Sequence, residues 1–380
     1  MHKLYEKIDE LTDFYIGVWE DICNIESPTD YKTGVDAVGD YLIKMAKERG
    51  FSVKLCEQQK AGNAFSITIN AEADENPIVF SGHIDTVHPI GSFGTPPVKM
   101  DSEKIYGPGV MDCKGGVVAS LFALDALSQC GFKKRPVKLI VQSDEETGSK
   151  TSDKKSIEFM LNESQNADAF LNTEGIQGNT AVLTRKGILR YKFTVCGKAM
   201  HSSKCTQGAN AICESAHKII ELEKMKDING LTCNCGVIQG GTTANSVAES
   251  CSFTADIRFA KEEQYNEAVE ICKQVANKTT IEGCTCQLEK VSERPAMQLT
   301  QRNERLLEKM NEIYKECGMP VLAPRGCLSG SDAAYITKAG IPCVDNLGVD
   351  GGNIHSVNEF AYLDSLAACA KRLALSAYCM

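Results

Sequence analysis

No apolar run in this chain approaches the roughly 20 residues that a membrane-spanning helix needs. Residues 1–28, MHKLYEKIDELTDFYIGVWEDICNIESP, are charged and helix-patterned with no uninterrupted apolar centre, so neither a membrane span nor a secretory leader is expected. Positive charge is in deficit as well. The 41 Lys and Arg against 50 Asp and Glu leave a net charge of -9, which argues against nucleic acid and against an anionic membrane surface as partners. Paired cysteines at metal-finger spacing are missing too. The 18 cysteines are scattered, and the tight pairs CNC (233–235) and CTC (284–286) have one spacer and no histidine nearby, which makes them poor zinc-site candidates. Many free thiols without an export signal point to the cytoplasm. Histidine is scarce, six in 380 residues, so the position of each one carries information.

What is present is a repeated pattern of short apolar runs that stop abruptly at polar residues. PIVFSGH ends at His83, VKLIVQSDEE at Glu145 and Glu146, ADAFLNTEG at Glu174, and IPCVDNLG precedes His355. Between the first two lies KGGVVASLFALDALSQCG, apolar at helical spacing and closed by Gly131. Strands alternating with helices predict an α/β fold with a largely parallel sheet, and in such sheets ligands bind beyond the carboxyl ends of the strands. From Lys186 the texture changes. ILRYKFTVC and CSFTADIRF alternate apolar and polar residues, the mark of half-buried strands. Helical patterns follow near 208–226 and 261–277. We read 187–295 as an inserted α+β domain with an antiparallel sheet, and 1–186 with 296–380 as one discontinuous domain. The return begins with a helix around 303–317.

The strand ends and nearby loops collect His83, Asp85, Asp112, Glu145, Glu146, Glu174 and His355. Two imidazoles with several carboxylates suit zinc. Three carboxylates for two histidines suggest two metals sharing one carboxylate, an arrangement that activates a water between them. His88 reads as an ordinary loop residue.

The motifs SGHIDTV, GPGVMDCKGG, DEETGS, GKAMHS, ADIR, SGSDAAY and IHSVNE give the chain, over nearly its whole length, a resemblance to the co-catalytic dinuclear zinc exopeptidases and deacylases. That family includes glutamate carboxypeptidase, aminoacylase, acetylornithine deacetylase and succinyl-diaminopimelate desuccinylase. The likeness is strongest to bacterial glutamate carboxypeptidase, through ERPAM and SGSDAAYITKAGIPCVDNLG. The resemblance implies a zinc-exopeptidase catalytic domain plus an inserted lid and dimerisation domain with a four-stranded antiparallel sheet. It implies two Zn2+ per subunit, with Co2+ or Mn2+ tolerated. His83 and Glu174 would bind one ion, Glu146 and His355 the other, and Asp112 would bridge them, with a cis peptide after it. Asp85 would hold the His83 imidazole, and Glu145 would be the general base. From the inserted domain, His201 would stabilise the oxyanion across a homodimer interface. Asn245 would contact substrate, and Arg258 with Gly330 and Ser331 would receive a substrate carboxylate. Arg294 is a further candidate for the side-chain pocket. Cys113 departs from the second acid or methionine that many relatives carry after the bridging aspartate. The expected activity is cleavage of an amide bond next to a C-terminal free amino acid. The alternatives are N-acyl-amino-acid deacylation and a non-catalytic binding protein on the same fold.

Overall fold

The computed structural model describes residues 2–380, which form two compact units. The first comprises 2–183, Leu299–Gly326 and Tyr335–Met380. Its central sheet has six strands in the spatial order Ser52–Cys56, Ala64–Ile69, Val137–Gln142, Ile78–His83, Ala169–Asn172, Cys343–Val344. The first two pairings in that order are antiparallel and the remaining three are parallel. The parallel strands are buried along almost their whole length, which is why they read as continuous apolar runs rather than alternating ones.

The helix Lys114–Gln129 is apolar around its circumference and buried from Lys114 to Leu127. A helix of that pattern must be covered on all sides. Helices His2–Asn24 and Leu363–Cys379 pack on it, as does the strand Ile78–His83. Even Lys114 is inside, its ammonium donating to the carbonyls of Ile22 (3.0 Å) and Ile25 (2.8 Å). Gly116 lets the start of this helix touch the sheet, since a Cβ there would lie 2.0 Å from the Thr173 carbonyl oxygen.

The second unit spans Thr184–Gln298 and Cys327–Ala334. Its four strands are all antiparallel, in the order Thr232–Gly240, Ser250–Phe259, Gly187–Cys196, Thr285–Arg294. This is the four-stranded antiparallel sheet that the resemblance implied. Leu189, Tyr191, Phe193, Phe253, Ala255, Ile257 and Phe259 form the buried face, under helices Ala211–Leu222 and Glu262–Asn277. Cross-strand partners Phe193 and Phe253 stack with ring centroids 4.7 Å apart, and truncating either to alanine should cost about 3–5 kcal/mol. The unit takes in Cys327–Ala334, beyond the 187–295 read from sequence, because its own arginines grip that loop. Arg185 donates to Ser329 Oγ (2.9 Å) and the Gly330 carbonyl (3.2 Å), and Arg294 reaches Asp332 (3.4 Å).

Candidate active site

The parallel register of the first unit's sheet sets the site. His83 is the last residue of the middle strand and pairs with Gln142 on one side, while Ser81 pairs with Asn172 on the other. Three residues past Gln142 comes Glu145, and two past Asn172 comes Glu174, so both acids emerge beside His83. Asp112 arrives from the turn before the buried helix, and the Asp112–Cys113 peptide is cis. His355 comes from a loop in which Asn353 and His355 both adopt left-handed backbone, φ 58° and 61°. Non-glycine residues seldom sit there unless surroundings hold them.

These side chains meet. His83 Nε2 lies 3.2 Å from Asp112 Oδ1 and 3.8 Å from Glu174 Oε1. His355 Nε2 lies 3.2 Å from Asp112 Oδ2 and 3.3 Å from Glu146 Oε2. Each oxygen of Asp112 thus faces a different imidazole. On the far side of the His83 ring, Nδ1 is 3.3 Å from Asp85 Oδ1 and 3.0 Å from the Asp85 carbonyl. Asp85 is fully buried and does more than sequence suggested. Its Oδ1 accepts from the Glu145 amide (3.1 Å), and its Oδ2 accepts from the Glu146 amide (3.2 Å) and Thr29 Oγ1 (2.7 Å). One carboxylate therefore couples the imidazole to the turn that carries both glutamates. Glu145 is itself buried. Its neighbour Asp144 turns away and accepts from Ser156 Oγ and the Ser152 amide.

Burial pushes the Glu146 carboxyl up to about 7. The facing carboxylates of Asp112 and Glu146 raise His355 to about 10. Burial opposes protonation of His83, but Asp112 and Asp85 outweigh it and hold that ring well above the usual imidazole range. Burial likewise opposes ionisation of Asp112, and His355 and His83 outweigh it, keeping this carboxyl below the usual carboxylate range. A nest of carboxylates that holds protons on its imidazoles attracts positive charge, and imidazole nitrogen with carboxylate oxygen is a donor set that suits divalent metal. The residues present fit a metal centre on these grounds. Cys113 is a further donor within reach. Its Sγ lies within 4.8 Å of donor atoms of His83 and Glu174, and it donates to the Thr173 carbonyl (3.1 Å).

The remaining candidates belong to the second unit. His201 is exposed, and its Nδ1 accepts from the Ser203 amide (3.3 Å), an arrangement that leaves the proton on Nε2. Asn245 lies on the adjacent loop, where its carbonyl accepts from the Ser202 amide (2.9 Å) and His201 bridges Ser246. Arg258 and Arg294 both pair with Ile188 across neighbouring strands, so all three share one face of the sheet. A Cβ on Gly330 would lie 2.9 Å from both Arg294 Cδ and Ile188 Cδ1, which brings Gly330 and the buried Ser331 to the same place. Arg258 already has a partner: Nε donates to Asp256 Oδ1 (2.6 Å) and Nη2 contacts Oδ2 (3.3 Å). Arg190 takes the other side of Asp256 (2.6 Å).

Two details go beyond the sequence reading. His88 lies in a loop, as expected, but it is buried, with Nε2 2.9 Å from Glu359 Oε2. Glu223 joins the CNC pair, since donor atoms of Cys233, Cys235 and Glu223 lie within 4.8 Å of one another. Lys226 and the Cys235 amide engage that glutamate.

An α/β unit with an acid-and-imidazole cluster at its strand ends, carrying a separate antiparallel-sheet unit, defines the class. The sequence profile of peptidase family M20/M25/M40 matches residues 79–378. The chain belongs to this family of metal-dependent enzymes, which hydrolyse peptide or amide bonds. Carboxypeptidase G2 of Pseudomonas sp. (strain RS-16) is 27% identical over 365 residues, covering 94% of this chain and 86% of that protein. A tripeptidase from Staphylococcus aureus superposes with a TM-score of 0.78 at 22% identity, over 97% and 98% of the two chains. A dinuclear metal-binding M20 peptidase from Bacillus subtilis gives 0.72 at 15% identity, over 98% of each chain. Among the described residues, no helix is long and apolar enough to cross a membrane.

Proposed function

We propose that this protein is a dinuclear zinc amidohydrolase that cleaves the amide bond next to a C-terminal free amino acid, in the manner of a glutamate carboxypeptidase. The observation that carries the reading is the symmetry of Asp112: its two oxygens each lie 3.2 Å from a different imidazole nitrogen, His83 on one side and His355 on the other. A carboxylate so flanked suits a bridging ligand, with Glu174 completing the His83 side and Glu146 the His355 side. Two bound zinc ions would supply the Lewis acid that polarises the scissile carbonyl and the charge that makes water nucleophilic near neutral pH.

The chain's own residues supply the rest. Glu145 accepts the proton of the attacking water and delivers it to the leaving nitrogen. Asp85 holds His83 in one tautomer and fixes the Glu145–Glu146 turn through both amides. His201, with Nε2–H turned to solvent, donates to the developing oxyanion in the active site of a second copy. The edge strand Thr232–Gly240 supports a homodimer, because Val237 and Ile238 are 57% and 50% exposed on it. Exposed apolar edge strands are surfaces that a second chain covers. Arg258, beside Arg294 and the Gly330–Ser331 loop, receives the substrate's terminal carboxylate, and Asn245 contacts the substrate next to His201.

The test is a panel of dipeptides, N-acyl amino acids and their C-terminal amides, with metal content measured on the same preparation. Two metal ions per chain and turnover of free-acid dipeptides are expected. Turnover confined to N-acyl amino acids would convert the reading to a deacylase. Metal without turnover of any substrate would leave a binding protein.

A further inference from the structure

The strand Lys104–Tyr106 runs antiparallel to Phe360–Tyr362, with Tyr106 opposite Phe360. The turn that leads to Asp112 therefore leaves the sheet beside the loop that carries His355. Glu359 stands at that junction and is 1% exposed. Its carbonyl accepts from the Gly107 amide (3.3 Å), extending the ladder by one bond. Its side chain does much more. Oε1 accepts from the amides of Met111 (2.9 Å) and Asp112 (3.1 Å), and Oε2 accepts from the Gly109 amide (3.3 Å) and faces His88 Nε2 at 2.9 Å. Four donors thus converge on one buried carboxyl group, three of them backbone groups of the turn itself. From the other side, Trp19 Nε1 donates to the Val110 carbonyl (3.1 Å). His88 is fixed in turn by an edge-on contact with Phe93.

We infer that Glu359 is a positioning residue of the active site, which with His88 clamps the Gly109–Asp112 backbone so that Asp112 offers one oxygen to each histidine. The bond to the Asp112 amide is the telling one. It restrains the backbone at the residue whose side chain faces both His83 and His355, so an error there moves both halves of the cluster at once. Glu359 also lies four residues after His355 in the hairpin closed by Gly351–Gly352 and Phe360–Tyr362. One hairpin therefore presents an imidazole and grips the segment presenting the shared carboxylate. A glutamine cannot replace Glu359, because in either orientation its amide NH2 would meet a backbone N–H, donor against donor.

This inference rests on the proposed metal reading, and the experiment separates the two. Metal-stripped protein is titrated with Zn2+ in competition with a chelator of known affinity, and Co2+ spectra are recorded alongside. Wild type is expected to take up two equivalents. Glu359→Gln should weaken both together by about 10–100-fold, the usual scale for groups that support metal ligands, and should shift the Co2+ absorption. His88→Leu should act in the same direction. His88→Gln, whose amide can still donate to Oε2, should recover most of the affinity. Tyr314→Phe, which loses a buried hydroxyl bond to Ser376, serves as a control. It should lower Tm without moving the affinity. If wild type binds no metal, the proposed function falls. If wild type binds two and a folded Glu359→Gln matches its affinity, the positioning role alone is wrong. Should Glu359→Gln fail to fold, equal affinities for His88→Leu and His88→Gln would overturn it instead.

Discussion

In the first unit the charged side chains of the site face one another: Asp112 meets two histidines, Glu146 meets His355, and Asp85 backs His83. In the second unit two of the candidates are held by neighbours on their own strand or loop. Arg258 is held by Asp256, two residues earlier, and His201 by Ser203, two residues later. The first arrangement brings buried acids together at the carboxyl ends of three parallel strands and gains nothing from that crowding without cations. The second is content as it stands, and so carries less information about what it binds. Several acids gathered round two imidazoles point to a cation, whereas a satisfied surface leaves the ligand open.

The comparison breaks most sharply at Glu145. This side chain sits in the crowded unit, yet it is assigned no metal. Glu145→Gln should keep both metal ions and lower kcat by about 100- to 10,000-fold, the range for a general acid–base group. Metal content by mass spectrometry and turnover of one good dipeptide check this. Loss of a full metal equivalent would mean that the roles of Glu145 and Glu146 are exchanged.

A smaller effect is expected at the arginine proposed to receive the substrate's carboxylate. Arg258→Ala should lower kcat/KM by about 10- to 200-fold, corresponding to ~1.5–3 kcal/mol for a hydrogen bond to a charged group. Amidating the substrate's carboxylate should cost about as much, and the two together much less than their sum, because both remove one contact. Asp256→Asn sharpens the point. It leaves the guanidinium in place but loosens its aim, so its loss should fall between wild type and Arg258→Ala. If C-terminal amides are cleaved as well as free acids, the carboxypeptidase reading fails and an amino-end specificity takes the lead.

The legibility of the two units in sequence follows the same division. His83, Glu145, Glu146 and Glu174 stand just where apolar runs stop, so strand ends exposed them directly. The alternation of ILRYKFTVC matches the observed burial of Leu189, Tyr191, Phe193 and Val195. Helix ends were blurred where a cap decides them. The pattern near 208–226 narrows to Ala211–Leu222 because Asn210 accepts from the Ile212 and Cys213 amides. Glu359 was in view within IHSVNE but had no readable role, since its partners are backbone amides nearly 250 residues away. A backbone amide has no sequence signature. The partner of His88 was hidden by distance, since it lies 271 positions downstream. Asp256 stood in ADIR in plain sight, yet only the sheet register places it opposite Arg190.

Counted per pH unit and per displaced proton, the smallest effect concerns pH, and it separates the crowded site from a merely acidic surface. In the metal-free protein His355 is raised to about 10 by Asp112 and Glu146, and His83 is held well above its ordinary range by Asp112 and Asp85. Near pH 7 to 8 His355 is therefore protonated, and His83 is biased in the same direction. A metal ion must displace a proton from each ring it binds, because only the neutral imidazole is a ligand. The sign follows. Lowering the pH favours the protonated rings and weakens metal binding, and raising it toward about 10 strengthens binding. Glu146, raised by burial to about 7, adds a further proton to displace below that pH, so the dependence should steepen there. Per displaced proton the affinity should change about tenfold for each pH unit. Chelator competition from pH 6 to 8.5 measures the slope, and calorimetry in two buffers of different ionisation enthalpy counts the protons released. An exposed acidic patch would bind metal with little pH dependence above pH 6, because its carboxylates are already ionised there. A flat profile between pH 6.5 and 8.5 would place the metal on such a patch and remove His83 and His355 from the ligand set.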